Sequence, residues 1–136
     1  MTTVGNINKD ITSDPNHIRV NYKSVFLGKG VVKELGLSDG DYVEFTTDRH
    51  GYLWLKKSSA NYGYRLIAID KQLYIGSVHL ARELAAMVYK TPAKAFEPFV
   101  LLTTTLTTDL EQNQCVEVFT SRIFRTRSYY DKKKKI

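Results

Sequence analysis

A β-rich α+β fold with short helices is the class that this 136-residue chain predicts. Three observations carry the expectation. Several short runs alternate apolar, β-branched or aromatic residues with polar ones, the period-two signature of half-buried strands. Glycine and aspartate clusters punctuate those runs at turn spacing. Only two stretches, near residues 30–36 and 77–89, repeat apolar residues at helical period. A hydrophobic content of 43% with 12% aromatics is ample for one domain, or for two very small ones sharing a core.

After a polar leader, Ile18, Val20 and Tyr22 alternate with Arg19 and Asn21, a strand pattern that Ser24–Leu27 continues. Gly28-Lys29-Gly30 interrupts it. The run from Gly30 to Gly36 then reads as a short helix with Gly36 as its C-terminal stop. A polar turn, Ser38-Asp-Gly-Asp41, leads into Tyr42–Thr47, where Val43 and Phe45 face one way and Tyr42, Glu44 and Thr46 the other. Asp48–Gly51 is a hairpin turn, and Tyr52–Lys57 returns with Leu53 and Leu55 opposite Trp54 and Lys56. Ser58–Asn61 reads as a linker. Tyr64–Ile69 and Leu73–Ile75 are strand-like around an Asp70-Lys71 turn, and Ser77 caps a helix to about Tyr89 that Thr91-Pro92 terminates. Leu80, Leu84, Met87 and Val88 form its apolar stripe. Phe99–Leu106 and Gln114–Ser121 read as two further strands joined by a polar loop around Asp109–Asn113.

The second half thus repeats the order of the first: strand, strand, helix, hairpin. Val25-Phe-Leu-Gly28 matches Leu73-Tyr-Ile-Gly76 in type, and Lys33-Glu-Leu35 matches Arg82-Glu-Leu84 with one residue inserted after the glycine. The expected organisation is a leader over 1–17, a first unit over 18–57, a divergent second unit over 62–121 sharing its core, and a basic tail over 122–136.

In its residues the first unit resembles the AbrB/SpoVT family of transition-state regulators and antitoxins. The likeness lies in Ser24-Val-Phe-Leu27, Glu34-Leu-Gly-Leu37, Ser38-Asp-Gly-Asp-Tyr-Val-Glu-Phe45 and Leu53-Trp-Leu-Lys-Lys57, about forty residues in all. It implies a swapped-hairpin DNA-binding barrel. Departures are Gly28 where the family usually has proline, and Lys33 alone where its helix carries paired arginines. Neither half shows the Asp-x-x-x-Arg signature of tandem relatives of the MraZ type. One unit's apolar hairpin face, Val43, Phe45, Leu53 and Leu55, has no cover within forty residues and needs a second copy. The family takes that copy from another chain. Here residues 62–121 are expected to supply it in cis, as a tandem pseudo-dimer.

The net charge of +6 is unevenly placed. The leader is net acidic, residues 18–57 hold seven basic against five acidic groups, and residues 62–122 are balanced. The last fourteen residues hold six basic groups against Asp131. No run approaches the roughly 18 apolar residues that span a bilayer, and the polar N-terminus lacks a signal core, so a cytoplasmic or, for a phage protein, virion location is expected. The single cysteine, Cys115, lies in an alternating apolar run and reads as a buried thiol.

In a swapped-hairpin fold, DNA contact falls to Arg19, Lys23, Lys29 and Lys33, echoed by Arg65 and Arg82 in the second half. Lysine and arginine neutralise phosphates, and arginine also reads guanine edges. The tail adds Arg125, Arg127, Lys132, Lys133, Lys134 and Lys135, interleaved with Tyr129 and Tyr130. That run reads either as an electrostatic arm for nucleic acid or as a solubilising tail. His17, His50 and His79 are far apart and lack metal spacing, so neither a metal nor a cofactor is expected. No nucleophile elbow and no phosphate-cradling loop is present, because Gly28-Lys-Gly30 is too short for a P-loop. The expectation is a non-enzymatic DNA-binding regulator of bacterial or phage kind. The alternative is a structural or assembly protein, such as a virion component, that binds other proteins or its own copies through aromatic and Thr-rich strands.

Overall fold

The computed structural model describes residues 14–59, 61–90, 96–109 and 111–125. The elements in chain order are β1 (His17–Val20), β2 (Val25–Leu27), α1 (Lys29–Leu35), β3 (Tyr42–Thr47), β4 (Leu53–Lys57), β5 (Tyr64–Arg65), β6 (Ile67–Ile69), β7 (Gln72–Ile75), α2 (Val78–Tyr89), β8 (Phe99–Leu102), β9 (Thr107–Thr108), β10 (Gln114–Val118) and β11 (Phe124–Arg125). The class is α+β and strand-rich, as the alternation predicts.

The strands form two antiparallel sheets, ordered β11-β8-β1-β2-β7-β6 and β5-β3-β4-β10-β9, and they do not close into a barrel. Two breaks that the sequence does not announce divide the predicted runs. The run 64–69 is interrupted at Leu66, whose side chain is fully buried and whose N–H donates to Asp41 O while its carbonyl accepts from Gly40 N. Burying that leucine rotates the chain, so β5 joins β3 and β6 joins β7. The run 99–106 likewise stops at Leu102. Thr103 makes a lone bridge to Val118, and Thr104 binds Glu117 through both its N–H and its hydroxyl. Thr107–Thr108 then forms a separate strand against β10.

Both sheets turn one face toward a single core. Ile18, Val20, Val25, Leu27, Leu73, Ile75, Phe99 and Leu101 come from the first sheet, and Val43, Leu53, Leu55, Val116 and Val118 from the second. The apolar face of the β3–β4 hairpin is extended within the chain, since β10 pairs with β4 in the register Val116↔Leu55 and Val118↔Leu53. Leu80, Ala81, Leu84 and Ala85 of α2 and Val31 and Leu35 of α1 complete the packing.

The helix ends follow their sequence signals. Gly36 adopts φ 62°, the left-handed stop that only a residue without Cβ takes without strain. Ser77 Oγ accepts from Leu80 N at 3.0 Å, and α2 runs to Tyr89. Lys90 closes that helix in the left-handed region, and Thr91-Pro92 lies outside the described residues. Within the expected linker, Ser58 is buried and its N–H donates to Tyr42 O at 2.8 Å. The tail expected over 122–136 begins instead with strand β11, paired with β8 through Phe124↔Val100. Cys115 is buried, as its alternating run implies.

Leu55 is fully buried between Phe45 of β3 and Val116 of β10. Leu55→Ala is expected to lower the unfolding free energy by about 2–5 kcal/mol in a urea titration. Ile69→Ala, at an exposed position of β6, should stay within about 0.5 kcal/mol. Equal losses at both positions would contradict the core placement.

Candidate functional site

Pro15-Asn-His17 passes over the junction between β2 and α1, and that crossing explains the two glycines. Gly28 N donates to His17 O and Gly30 N to Pro15 O, at 2.8 and 2.7 Å. A Cβ on Gly28 would sit 2.6 Å from Pro15 O. The Gly28-Lys-Gly30 motif therefore serves close backbone packing, and the amides of both glycines are already occupied.

Beside this crossing lies a groove of about 380 Å³ lined by Pro15, His17, Arg19, Phe26, Leu27, Gly28, Lys29, Val32, Lys71, Gln72 and Leu73. Its ionisable lining is one-signed: His17, Arg19, Lys29 and Lys71, with no carboxylate among the described residues. Lys29 and Lys71 are exposed and form no salt bridge among the described residues. His17 is buried, and its Nδ1 approaches Asp14 O at 2.5 Å. The Arg19 guanidinium lies over the Phe26 ring, 4.3 Å from its centroid, and Phe26 stacks on Tyr74 at 5.3 Å and 23°. Cations gathered against low-dielectric walls focus a positive potential that draws anions.

Of the sequence candidates, the fold brings Arg19 and Lys29 into this groove. Lys33 lies one helical turn beyond Lys29 on the same face of α1. Lys23 sits at the opposite end of β2, its ammonium 5.2 Å from the Tyr22 ring centroid. Arg65 pairs with Tyr42 in the other sheet, and Arg82 is exposed on α2, so neither joins the groove. Arg125 ends β11, whereas Arg127 and Lys132 to Lys135 lie outside the described residues. Lys71 is the member that sequence reasoning missed. It reads only as a turn residue, and the pairing of β7 with β2 carries it to Lys29.

The outer face of the second sheet has a different character. Trp54 is half-buried, and its indole N–H donates to Asp48 Oδ2 at 3.1 Å. Asp48 also accepts from His50 N and Tyr52 N, which fixes the hairpin turn. Asp109 holds the β9–β10 turn in the same manner, through Glu111 N and Asn113 N. A concavity there is lined by Asp48, Asp109 and Glu111 as well as Arg49 and Lys56, a mixed lining of three acids against two bases. Burial and the neighbouring Asp48 push the Glu117 carboxyl above its ordinary range. Burial, then Asp109, pushes the Cys115 thiol up, away from thiolate reactivity. Among the described residues no group of three His, Cys, Asp or Glu side chains could hold a metal, and no helix is long and apolar enough to cross a membrane. His79 pairs with Glu83 on the surface of α2 at 2.9 Å.

Against known proteins, the chain matches no family model, no curated protein and no solved structure.

Desolvation raises the Asp48 pKa, but hydrogen bonds from Trp54, Tyr52 and His50 outweigh it, and the net shift is downward. A depressed carboxylate stabilises the fold above its unfolded pKa, and that contribution is lost as pH falls through the folded value. Trp54 is the only tryptophan, so its emission should report this loss, with a midpoint below the ordinary aspartate value of about 3.9. Asp48→Asn should abolish the acid-side step. A midpoint above that value would contradict the hydrogen-bond account.

Proposed function

We infer that this chain is a non-enzymatic DNA-binding protein of regulator type, built as a tandem relative of the swapped-hairpin design. The observation that carries the reading is the one-signed groove lined by Arg19, Lys29 and Lys71. Phosphates are its natural occupants, since three cations on fixed elements neutralise backbone charge and release counterions. Lys33 extends the same positive edge along α1, and the basic residues after β11 add affinity without sequence preference.

The strand registers support the tandem architecture. Adding 48 to each residue of the pair Arg19↔Phe26 gives Ile67↔Tyr74, and the same step takes Val20↔Val25 to Ala68↔Leu73. The two hairpins therefore share one register and one turn position. β2 and β7 pair antiparallel about Phe26↔Tyr74, and those two residues are equivalent under the same step. That is the relation expected of a pseudo-two-fold axis. In swapped-hairpin terms, β1 pairs with β8 of the other half while β5 pairs with β3, and β4 meets β10.

A second reading, an assembly component that binds protein partners or its own copies, draws on exposed tyrosines at positions 22, 52 and 62, which are 50%, 54% and 65% accessible. Sedimentation separates the two: reversible self-association at high concentration supports assembly, and a strict monomer counts against it.

For the DNA reading, the full chain is expected to bind a random 20-base-pair duplex with micromolar affinity that falls steeply between about 50 and 200 mM salt. The double variant Lys29→Ala/Lys71→Ala should weaken binding about tenfold and flatten the salt dependence. A shortened chain lacking residues 126–136 should retain measurable binding, and complete loss in that chain would assign DNA contact to the tail alone.

A further inference from the structure

We propose that only one lobe of the pseudo-dimer contacts DNA, the groove of Arg19, Lys29 and Lys71, so that the chain takes a single duplex site without dyad symmetry. The proposal rests on the DNA reading above and names the part of the surface that does the binding.

The two halves correspond residue by residue. In the strands the step is 48, so Arg19, paired with Phe26, corresponds to Ile67, paired with Tyr74. In the helices the step is 49, since 77 minus 28 is 49: N-cap Gly28 corresponds to N-cap Ser77, and buried Val31 and Leu35 to Leu80 and Leu84. Lys29, the first residue of α1, therefore corresponds to Val78, the first residue of α2. Ile67 and Val78 are 43% and 42% exposed. Two of the groove's cations thus have surface aliphatic side chains as their counterparts.

The second lobe has mixed charge. Lys23 and Arg82 stand where the first lobe has Lys71 and Lys33, and Arg65 stands where it has His17. Two exposed carboxylates oppose them. Asp39 Oδ1 accepts from Ala68 N at 3.0 Å, next to Ile67, and Glu83 pairs with His79 at 2.9 Å on α2. The first lobe is arranged differently at both places. At Val20, the counterpart of Ala68, the sheet edge is filled by β8 through Val20↔Phe99. Glu34, the counterpart of Glu83, accepts from Leu106 N and lines a separate concavity with Lys56 and Lys57. Asp70, beside Lys71 in the chain, is outside the groove lining.

An aliphatic side chain neutralises no phosphate and releases no counterion, whereas each lysine contact to a duplex does both. A two-fold protein matches a two-fold DNA site because both halves make the same contacts. Here the backbone keeps the pseudo-two-fold relation while the central cations occur on one side only, so the phosphate contacts are made once.

The test uses the full chain, a random 20-base-pair duplex and fluorescence anisotropy. Lys29→Ala/Lys71→Ala should cost about tenfold in affinity and reduce the slope of log affinity against log salt by roughly 1.8. Lys23→Ala/Arg82→Ala, at exposed positions of the second lobe, should leave affinity within twofold and the slope unchanged. Hydrogen exchange of the unaltered protein gives a readout free of folding defects: added duplex should slow the amides of 29–35 and leave those of 78–83 as they were. Equal losses in the two double variants, or slowing in both helices, overturn the one-lobed site and leave the DNA reading standing. A loss confined to Lys23→Ala/Arg82→Ala overturns the choice of lobe. Unchanged affinity in both variants overturns the proposal and assigns DNA contact to other residues. Absence of duplex binding by the unaltered chain overturns the DNA reading as well.

Discussion

The structure depends on one constraint: an amphipathic β-hairpin cannot leave its apolar face in water. In β3–β4 that face consists of Val43, Phe45, Leu53 and Leu55. β10 extends it edge to edge through Leu55↔Val116, while β1, β2 and the helices close over it. Antiparallel pairing of β2 with β7 then holds the two halves together on the other sheet. Every strand that joins the halves takes its register from this burial, because a slip of one residue would turn each buried valine and leucine outward.

That constraint also places the groove. Lys29 and Lys71 are far apart in sequence and belong to different halves, yet β2 and β7 bring them to one end of a shared ladder. The glycines at 28 and 30 let Pro15-Asn-His17 press against the start of α1, and this contact forms the groove wall. The cationic character of the site is therefore a product of tertiary pairing more than of any local motif.

Local patterns predict local elements well here. The β3–β4 hairpin, the Ser77 cap and the Gly36 stop follow from alternation, hydroxyl chemistry and the left-handed tolerance of glycine. The breaks at Leu66 and Thr103 were not legible, since both lie inside β-prone apolar runs. What ends the strands is burial of Leu66 against the 38–41 loop and the grip of Glu117 on Thr104. β11 was hidden for another reason: its residues fall within a basic stretch, and only pairing with β8 orders them as a strand. In the site, Arg19 and Lys29 could be named from charge and position. Lys71 could not be named that way, because only the pairing of β7 with β2 brings it beside Lys29.

The pairing of β4 with β10 has a consequence for synthesis. Leu55 and its partner Val116 are 61 positions apart, since 116 minus 55 is 61. At roughly 5–20 residues per second the ribosome takes about 3–12 s to make that interval. During that time the finished hairpin has its own turn and its own hydrogen bonds but no neighbour along β4. β1 likewise waits for β8, because Ile18 pairs with Leu101. β1 and β4 therefore gain these neighbours only after residues 99–118 have been made.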